Sequence, residues 1–262
     1  MTKMRIVIVT QEEPFYLPPF LARLAQARRS DIVGMVILPP FNESLLDVGK
    51  RLYELYGPWD FTIQCVRFAW AKFLNLLNRV HPITRPYSAV DVARRYQIPI
   101  YTPEKINAPD FVQILREEIR PDLLVSVAAS QIFKKRVLEV PSLGCINVHT
   151  APLPRYQGML PTFWAMLHEE LETAVTVHYM VEKLDAGEII LQEPVPIRSE
   201  DTLHTLIVRT KQIGAELVLR AIQQIESGEV HSFPMDPDQA TYFSFPKRAD
   251  AQRFRALGRR FF

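Results

Sequence analysis

Apolar runs of strand length alternate with amphipathic segments through the first 150 residues, and this alternation limits the possible folds most strongly. The apolar runs lie at 4–10, 31–39, 98–103, 121–130 and 142–150. Helical patterns separate most of them, at 18–29, 88–97 and 109–120. Strands that alternate with helices favour a parallel sheet covered on both faces. We therefore predict an α/β fold with a Rossmann-like, mostly parallel twisted sheet flanked by helices.

After residue 150 the alternation of strands and helices gives way to a predicted hairpin and a long helix. Two apolar runs, 173–181 and 188–197, are joined by a short turn and predict a hairpin that closes the sheet. A long helical pattern at 201–227 ends at Gly228, a residue type expected at a left-handed cap. We expect residues 1–200 to form one domain. Residues 201–262 should pack on it as a C-terminal helix and an irregular tail.

A segment at about 49–86 is long for a connection, and we interpret it as a helical insertion. Its apolar stripe consists of Ile63, Val66, Trp70, Phe73, Leu74 and Leu77. Arg67 and Lys72 interrupt the run, which argues against a membrane span and predicts solvated charges off the stripe. We expect the stripe to be buried on its own domain or against a second copy in a homodimer. A membrane-surface or oligomerisation module is the alternative of another class.

Several classes of protein are disfavoured by the sequence. The first strand is followed by TQEEPFYLPP, which has no glycine, so a dinucleotide pyrophosphate is not expected there. The formal net charge is only +2, which makes nucleic acid an unlikely partner. Six scattered histidines and two cysteines have no metal-ligand spacing, so no metal site is predicted. The N-terminal apolar run is too short for a secretory signal, and we expect a cytoplasmic protein.

The segment CINVHTAPLPRYQG, at 145–158, carries the side chains best suited to chemistry. Residues two apart in a strand share a face, so Asn147 and His149 should lie side by side. They would stand at the carboxyl end of a parallel strand, where ligands bind in open α/β sheets. The proline-rich loop that follows would form a rigid wall of the site, with Arg155, Tyr156 and Gln157 on the acceptor side.

A second segment, VEKLDAGEII at 181–190, places Asp185 in a tight turn. Together the two segments resemble the formyltransferases that use 10-formyltetrahydrofolate. That family has an Asn-x-His, then a Leu-Pro loop, then a Leu-Asp-x-Gly turn; here these are Asn147-Val-His149, PLPRYQG and Leu184-Asp185-Ala-Gly187. The likeness covers roughly residues 120–200, with weaker similarity from residue 4 onward.

The resemblance implies a catalytic domain and assigns roles to its residues. The Asn147 amide and a protonated His149 would stabilise the oxyanion of the tetrahedral intermediate. Asp185 would fix the tautomer of His149 and accept the proton of the attacking amine, directly or through water. The donor, 10-formyltetrahydrofolate, would bind mainly through backbone groups. Its expected pocket consists of Ser130, Gln131, Ile132, Phe133, Leu138, Val181, Lys183 and Leu184.

The sequence leaves the acceptor amine open. A nucleotide-linked amino sugar of surface-glycan biosynthesis is preferred, with Gln11, Glu12, Phe15 and Tyr16 offering hydrogen bonds and stacking. Glycinamide ribonucleotide is disfavoured because the first turn has no glycines for its phosphate. Methionyl-tRNA is disfavoured because only 35 residues (262 − 227) follow the long helix, too few for the added β-domain of those enzymes. Hydrolysis of the formyl-folate is a further alternative. Near the same cleft we expect Tyr56 or Trp59.

Overall fold

A computed structural model describes residues 3–40, 45–80 and 85–262. Seven strands form one sheet in the order β3-β2-β1-β4-β5-β7-β8. The first five are parallel, whereas β7 is antiparallel to β5 and β8 is antiparallel to β7. The strands are β1 Ile6–Gln11, β2 Ile32–Leu38, β3 Ile100–Tyr101, β4 Leu123–Ser126, β5 Cys145–His149, β7 Glu172–Tyr179 and β8 Ile189–Pro196. The predicted mostly parallel sheet and its closing hairpin are confirmed, and the short third strand lies at one edge.

Helices cover both faces of this sheet. They are α1 Leu17–Arg28, α2 Leu45–Val80, α3 Ala89–Arg95, α4 Pro109–Ile114, α5 Lys135–Leu138, α6 Pro161–Leu167, α7 Leu203–Ser227 and α8 Arg248–Ala256. The central strand shows why both layers are needed. Ile6 and Ile8 of β1 face a core shared with α1, α3 and α7, and Val7 and Val9 face a second core shared with α4. A strand buried on both sides is a continuous apolar run, as the sequence indicated.

The long C-terminal helix begins and ends as predicted. Thr202 caps α7 through its hydroxyl, which accepts a hydrogen bond from the Thr205 amide at 3.2 Å. Gly228 ends the helix with a φ of +72°, the left-handed conformation expected at that position.

Helix α6 was not predicted as a separate helix. All seven of its residues are buried or nearly so, so its sequence lacks the polar face that marks an amphipathic helix.

The predicted irregular tail is partly wrong. Residues 242–243 form a short strand, β9, which pairs in parallel with β6 (Gln157–Gly158) in the loop after β5. Helix α8 follows and buries Ala251 and Phe254, with Phe254 stacked on Phe163 of α6. A nine-residue helix with two buried residues gives too weak a period to be recognised in the sequence. The tail therefore supports the loop that follows β5.

The insertion forms α2, which is interrupted at Gly57 (φ +66°) and Pro58. Residues 81–84 of the predicted insertion lie outside the described residues. The predicted burial of the stripe on its own domain is wrong, since Trp70 is 60% exposed and Phe73 49% exposed. The prediction that the Arg67 side chain is solvated is also wrong, because its guanidinium lies over the rings of Phe15 and Phe262. Leu55, Ala71 and Asn78 are the buried residues that join this helix to its domain, and none of them belongs to the predicted stripe. In the described residues no helix is long and apolar enough to cross a membrane.

Candidate active site

Strand β5 carries Asn147 and His149 to the carboxyl edge of the sheet on one face. Its other face buries Ile146 and Val148 in the core beneath α1 and α7. Cys145 shares the first face but lies deeper, where burial raises the pKa of its thiol to about 12. The alternation therefore leaves the amide and the imidazole as the chemically competent pair.

Two contacts fix the His149 ring. Its Nε2 lies 2.8 Å from the carbonyl oxygen of Tyr156, which can only accept, so Nε2 carries a hydrogen. Its Nδ1 lies 3.7 Å from Oδ2 of Asp185. A hydrogen on Nδ1 is present only in the imidazolium form and would lie between the ring and this carboxylate. Nδ1 is thus the nitrogen of this ring that faces the Asp185 carboxylate.

Asp185 lies in the turn between β7 and β8 and has a φ of +49°. Its Oδ2 accepts a hydrogen bond from the Gly158 amide at 3.1 Å, and its carbonyl oxygen accepts one from the Gln157 amide side chain at 2.9 Å. Gly187 closes the turn so tightly that a Cβ there would lie 2.0 Å from the carbonyl oxygen of Tyr179. Backbone contacts with two segments therefore hold this carboxylate beside His149.

His178 of β7 belongs to the same cluster and was missed by the sequence analysis. It lies directly opposite Asn147 in the antiparallel ladder and is 2% exposed. Its Nδ1 donates to the carbonyl oxygen of Tyr179 at 2.7 Å, so in the neutral ring Nε2 is the acceptor. That Nε2 lies 3.3 Å from the Asn147 amide nitrogen and 3.7 Å from Oδ1 of Asp185. A histidine in a core strand looks structural in sequence, and only the ladder register brings it to the site.

Burial determines the charge of His178. Desolvation lowers its pKa to about 4, although the nearby Asp185 carboxylate acts in the opposite direction. The ring is therefore neutral near pH 7, and it orients the Asn147 amide so that one N–H donates to Nε2. The second N–H and the carbonyl oxygen of that amide are left for a ligand.

The loop after β4 was predicted to line a folate pocket, and several of its side chains are engaged within the protein. Ser130 donates to the carbonyl oxygen of Pro39 at 2.6 Å. Gln131 bonds the backbone of Glu104 and Ile106 at 2.9 and 2.8 Å. Phe133 and Leu138 pack in the second core.

Both this loop and the Asp185 turn carry exposed apolar side chains. Ile132 is 60% exposed, and Val181 and Leu184 are nearly half exposed. The Lys135 amide donates to the Glu182 carboxylate at 3.0 Å, which joins the loop to the turn that also carries the exposed Lys183. An apolar surface beside a polar cluster is typical of ligand sites.

The first turn contains two glutamates that cap helices. Glu12 accepts from the amides of Ala89 and Val90 at the start of α3, both at 3.1 Å. Glu13 accepts from the amides of Phe15, Tyr16 and Leu17 at the start of α1, at 2.7, 2.7 and 3.0 Å. Carboxylates thus occupy the helix N-termini at which a phosphate could otherwise bind. Gln11, also predicted to contact substrate, is half-buried at the end of β1.

An aromatic and cationic cluster adjoins this turn. The Tyr16 hydroxyl lies 2.9 Å from Nδ1 of His204, and the Arg67 guanidinium lies 5.3 Å from the centre of the Phe15 ring. The guanidinium also lies over the Phe262 ring, 4.7 Å from its centre. Tyr56, predicted to face the cleft, stacks on Phe262, and Trp59 is 77% exposed. Arg67 and His204 were not predicted here, because they come from distant segments of the sequence.

The loop after β5 uses the remaining predicted residues mainly for its own structure. Arg155 pairs with Glu170 at 3.2 Å, and the buried Tyr156 donates to the same carboxylate at 2.7 Å. Gln157 is the tether of the Asp185 turn described above. Among residues 3–40, 45–80 and 85–262, no group of three acidic, histidine or cysteine side chains is arranged to hold a metal ion.

Comparisons with known proteins give a family for this arrangement. Residues 79–222, more than half of the chain, match the family model described as "Formyl transferase". The methionyl-tRNA formyltransferase of Syntrophus aciditrophicus is 44% identical over 158 residues, which are 60% of this chain and 50% of that protein. The chain thus spans about half the length of the curated relatives it matches.

Solved structures share the fold at low sequence identity. The phosphoribosylglycinamide formyltransferase of Anaplasma phagocytophilum has a TM-score of 0.61 at 17% identity, covering 94% of this chain and 100% of that one. The N-formyltransferase of Helicobacter canadensis, in complex with folinic acid and dTDP-3-aminofucose, has a TM-score of 0.59 at 18% identity, covering 92% and 71%.

Proposed function

The chain belongs to the formyl transferase family, and we propose that it transfers the formyl group of 10-formyltetrahydrofolate to the amine of a nucleotide-linked amino sugar. One observation carries this proposal. Asn147, His149 and Asp185 converge at the carboxyl edge of the sheet, with His149 Nδ1 and Asp185 Oδ2 3.7 Å apart. These groups are the donors and the base that acyl transfer to an amine requires.

The surface beside this cluster fits the donor. The bicyclic ring of a folate is flat and largely apolar at its faces, and Ile132, Val181 and Leu184 expose apolar side chains where the loop after β4 meets the Asp185 turn. When bound, 10-formyltetrahydrofolate supplies a formyl carbon whose oxygen gains negative charge as the amine adds. We propose this surface as the wall of the folate site.

The residues of the cluster divide the chemical work. The free N–H of Asn147 donates a hydrogen bond to the oxygen that gains charge. So does Nδ1–H of the protonated His149, because Nε2 is bonded to Tyr156 and the 3.7 Å between Nδ1 and Asp185 Oδ2 is longer than a hydrogen bond. Asp185 accepts a proton from the attacking amine, directly or through water, as the new C–N bond forms. The bond from the formyl carbon to N10 of the folate then breaks, and N10 receives a proton. His178 holds the Asn147 amide in place for this sequence.

The first turn supports the choice of acceptor. A glycine-rich first turn would hold the phosphate of glycinamide ribonucleotide at the start of α1, and here the Glu13 carboxylate occupies that helix end. The half-buried rings of Phe15 and Tyr16, with the Arg67 cation, offer stacking and charge to a nucleotide. The Helicobacter canadensis protein shows that this fold accommodates a folate together with a nucleotide-linked amino sugar.

Methionyl-tRNA is the second candidate acceptor, because the curated relatives with 37–44% identity carry that name. It requires an extensive basic surface, and the net charge of +2 gives no general attraction to nucleic acid.

A panel of acceptors tests the proposal. The purified chain is incubated with 10-formyltetrahydrofolate and, separately, dTDP- and UDP-linked amino sugars, charged methionyl-tRNA, glycinamide ribonucleotide or buffer. Folate absorbance follows donor use, and mass spectrometry follows the gain of one formyl group by the acceptor. We expect formylation of an amino-sugar nucleotide. Formylation of methionyl-tRNA alone would overturn the acceptor, donor loss in buffer alone would indicate a hydrolase, and no donor use in any arm would overturn formyl transfer.

A further inference from the structure

Helix α2 exposes its most apolar face to solvent, whereas an ordinary surface helix exposes its polar face. After Gly57 the side that packs on its own domain contains several polar residues beside Ala71 and Leu74. Asn78 is 5% exposed and donates to Asp91 at 3.1 Å, and Arg67 lies among Phe15, Phe262 and His204. The apolar side faces outward. Surface helices normally bury the apolar stripe, so this face calls for a partner.

The outward residues follow a heptad repeat. Their spacing alternates strictly between four and three residues over three heptads, and all of them are apolar: Trp59, Ile63, Val66, Trp70, Phe73, Leu77 and Val80. We call this set the seam. A period of 3.5 residues keeps a stripe facing one partner helix along its length, which is the pattern of helices that pair side by side.

The exposed area of the seam is that of a protein interface. Trp59 and Val80 are 77% and 76% exposed, and Val66 and Trp70 are 65% and 60% exposed. Taking roughly 150–250 Å² for a fully exposed large side chain, the exposed fractions of the seam residues give on the order of 700 Å² per chain. A monomer ordinarily carries an apolar patch of about 300–600 Å², and a standard interface takes about 800 Å² from each partner.

We propose that two copies of this chain dimerise by pairing their seams antiparallel across a two-fold axis. Charge favours this orientation. The exposed Glu54 precedes the seam, and the exposed Lys72 and Arg79 lie toward its C-terminal end. Antiparallel pairing brings acids near bases and aligns the helix dipoles favourably, whereas parallel pairing brings like charges together. A second copy always supplies the complementary heptads, so no other partner is required.

A lipid surface fits these observations less well. A helix that lies on a membrane has a polar face rich in Lys and Arg, whereas here the polar face is used by the protein itself.

Sedimentation of the wild-type chain and two matched variants tests dimerisation. Trp70→Glu places a charge in the seam, and Leu171→Glu changes a residue that is 86% exposed outside it. We expect the wild type and Leu171→Glu to be dimers. For Trp70→Glu we expect the dissociation constant of the dimer to rise by on the order of 100-fold or more. Circular dichroism checks that both variants fold. A monomeric wild type at about 100 µM, or an undisturbed Trp70→Glu dimer, would overturn the proposal.

Disulfide trapping tests the orientation in a Cys65→Ser background. Trp59→Cys and Val80→Cys lie at opposite ends of the seam, so antiparallel pairing predicts cross-links only when the two variants are mixed. Cross-linking of Val80→Cys with itself would overturn the antiparallel arrangement. Flotation with vesicles containing phosphatidylserine is the remaining arm. Binding of a monomeric wild type that Trp70→Glu loses would assign the seam to lipid instead.

Discussion

Oδ2 of Asp185 lies 3.7 Å from Nδ1 of His149, although the two residues are 36 positions apart (185 − 149) and belong to different parts of the sheet. Because Nε2 of His149 is already bonded to the Tyr156 carbonyl, Nδ1 is the nitrogen that faces the carboxylate. This relationship defines the first prediction.

Asp185→Asn should lower kcat by on the order of 10²-fold or more, because the amide cannot accept the amine's proton. The fold should be preserved, since asparagine tolerates the positive φ of this position and keeps an oxygen for the Gly158 amide. Formyl release from 10-formyltetrahydrofolate in the presence of the identified acceptor measures the effect. Asp238→Asn, on the surface, serves as the control. Turnover within a few-fold of the wild type would remove Asp185 from the mechanism.

The sequence predicted the parts of this site that depend on local periodicity. Period-two alternation placed Asn147 and His149 on one face of β5, and the LDAG turn placed Asp185 at the end of a hairpin. Both inferences need only a strand and a turn, and each of these can be recognised from a short stretch of consecutive residues.

Other parts depend on which segments meet, and the sequence could not supply them. His178 reaches Asn147 through the register of β7 against β5, and Arg67 reaches Phe15 from an insertion. The seam of α2 was recognised as an apolar stripe, but the same pattern predicts burial on the domain or against another chain. The structure distinguishes these two alternatives, because a different side of the helix, the one with Asn78, is buried on the domain.

His178 should make the protein less stable in acid. Its pKa is lowered by burial from 6.5 to about 4, so between these values the unfolded chain binds a proton that the native chain does not. Stability is therefore present above about pH 6.5 and is lost as pH falls toward 4. We expect urea unfolding to show this loss, on the order of a few kcal/mol, and His178→Gln to show a shallower dependence. His231→Gln, at an exposed position, is the control, and an unchanged slope for His178→Gln would contradict the assignment.

Glu13→Ala should destabilise the fold through the start of α1. Three amides, those of Phe15, Tyr16 and Leu17, lose their acceptor when the carboxylate is removed. The expected loss in the free energy of unfolding is about 1–2 kcal/mol, the scale of a lost helix cap. Glu13→Gln keeps one acceptor oxygen, so its free energy of unfolding should lie between those of the wild type and Glu13→Ala. Urea titration compares these variants with Glu104→Ala on the surface, and equal stabilities would show that the cap contributes nothing.

Gly187→Ala should disturb the Asp185 turn because there is no space for the added carbon. The new Cβ would lie 2.0 Å from the carbonyl oxygen of Tyr179 and 2.8 Å from its carbon, and both are backbone atoms that hold β7 in place. The turn must move, so we expect a loss of at least about 2–3 kcal/mol in stability together with loss of turnover.

Gly228→Ala separates this effect from ordinary backbone strain. Gly228 has a φ of +72°, but a Cβ added there would meet no heavy atom within 4 Å, and the residue ends α7 far along the chain from the turn. The substitution should cost about 1 kcal/mol and leave turnover unchanged. Thermal unfolding and formyl release are measured on both variants. If Gly187→Ala were no more costly than Gly228→Ala, the turn would be free to shift, and the tight contact with Tyr179 would not be what holds Asp185 beside His149.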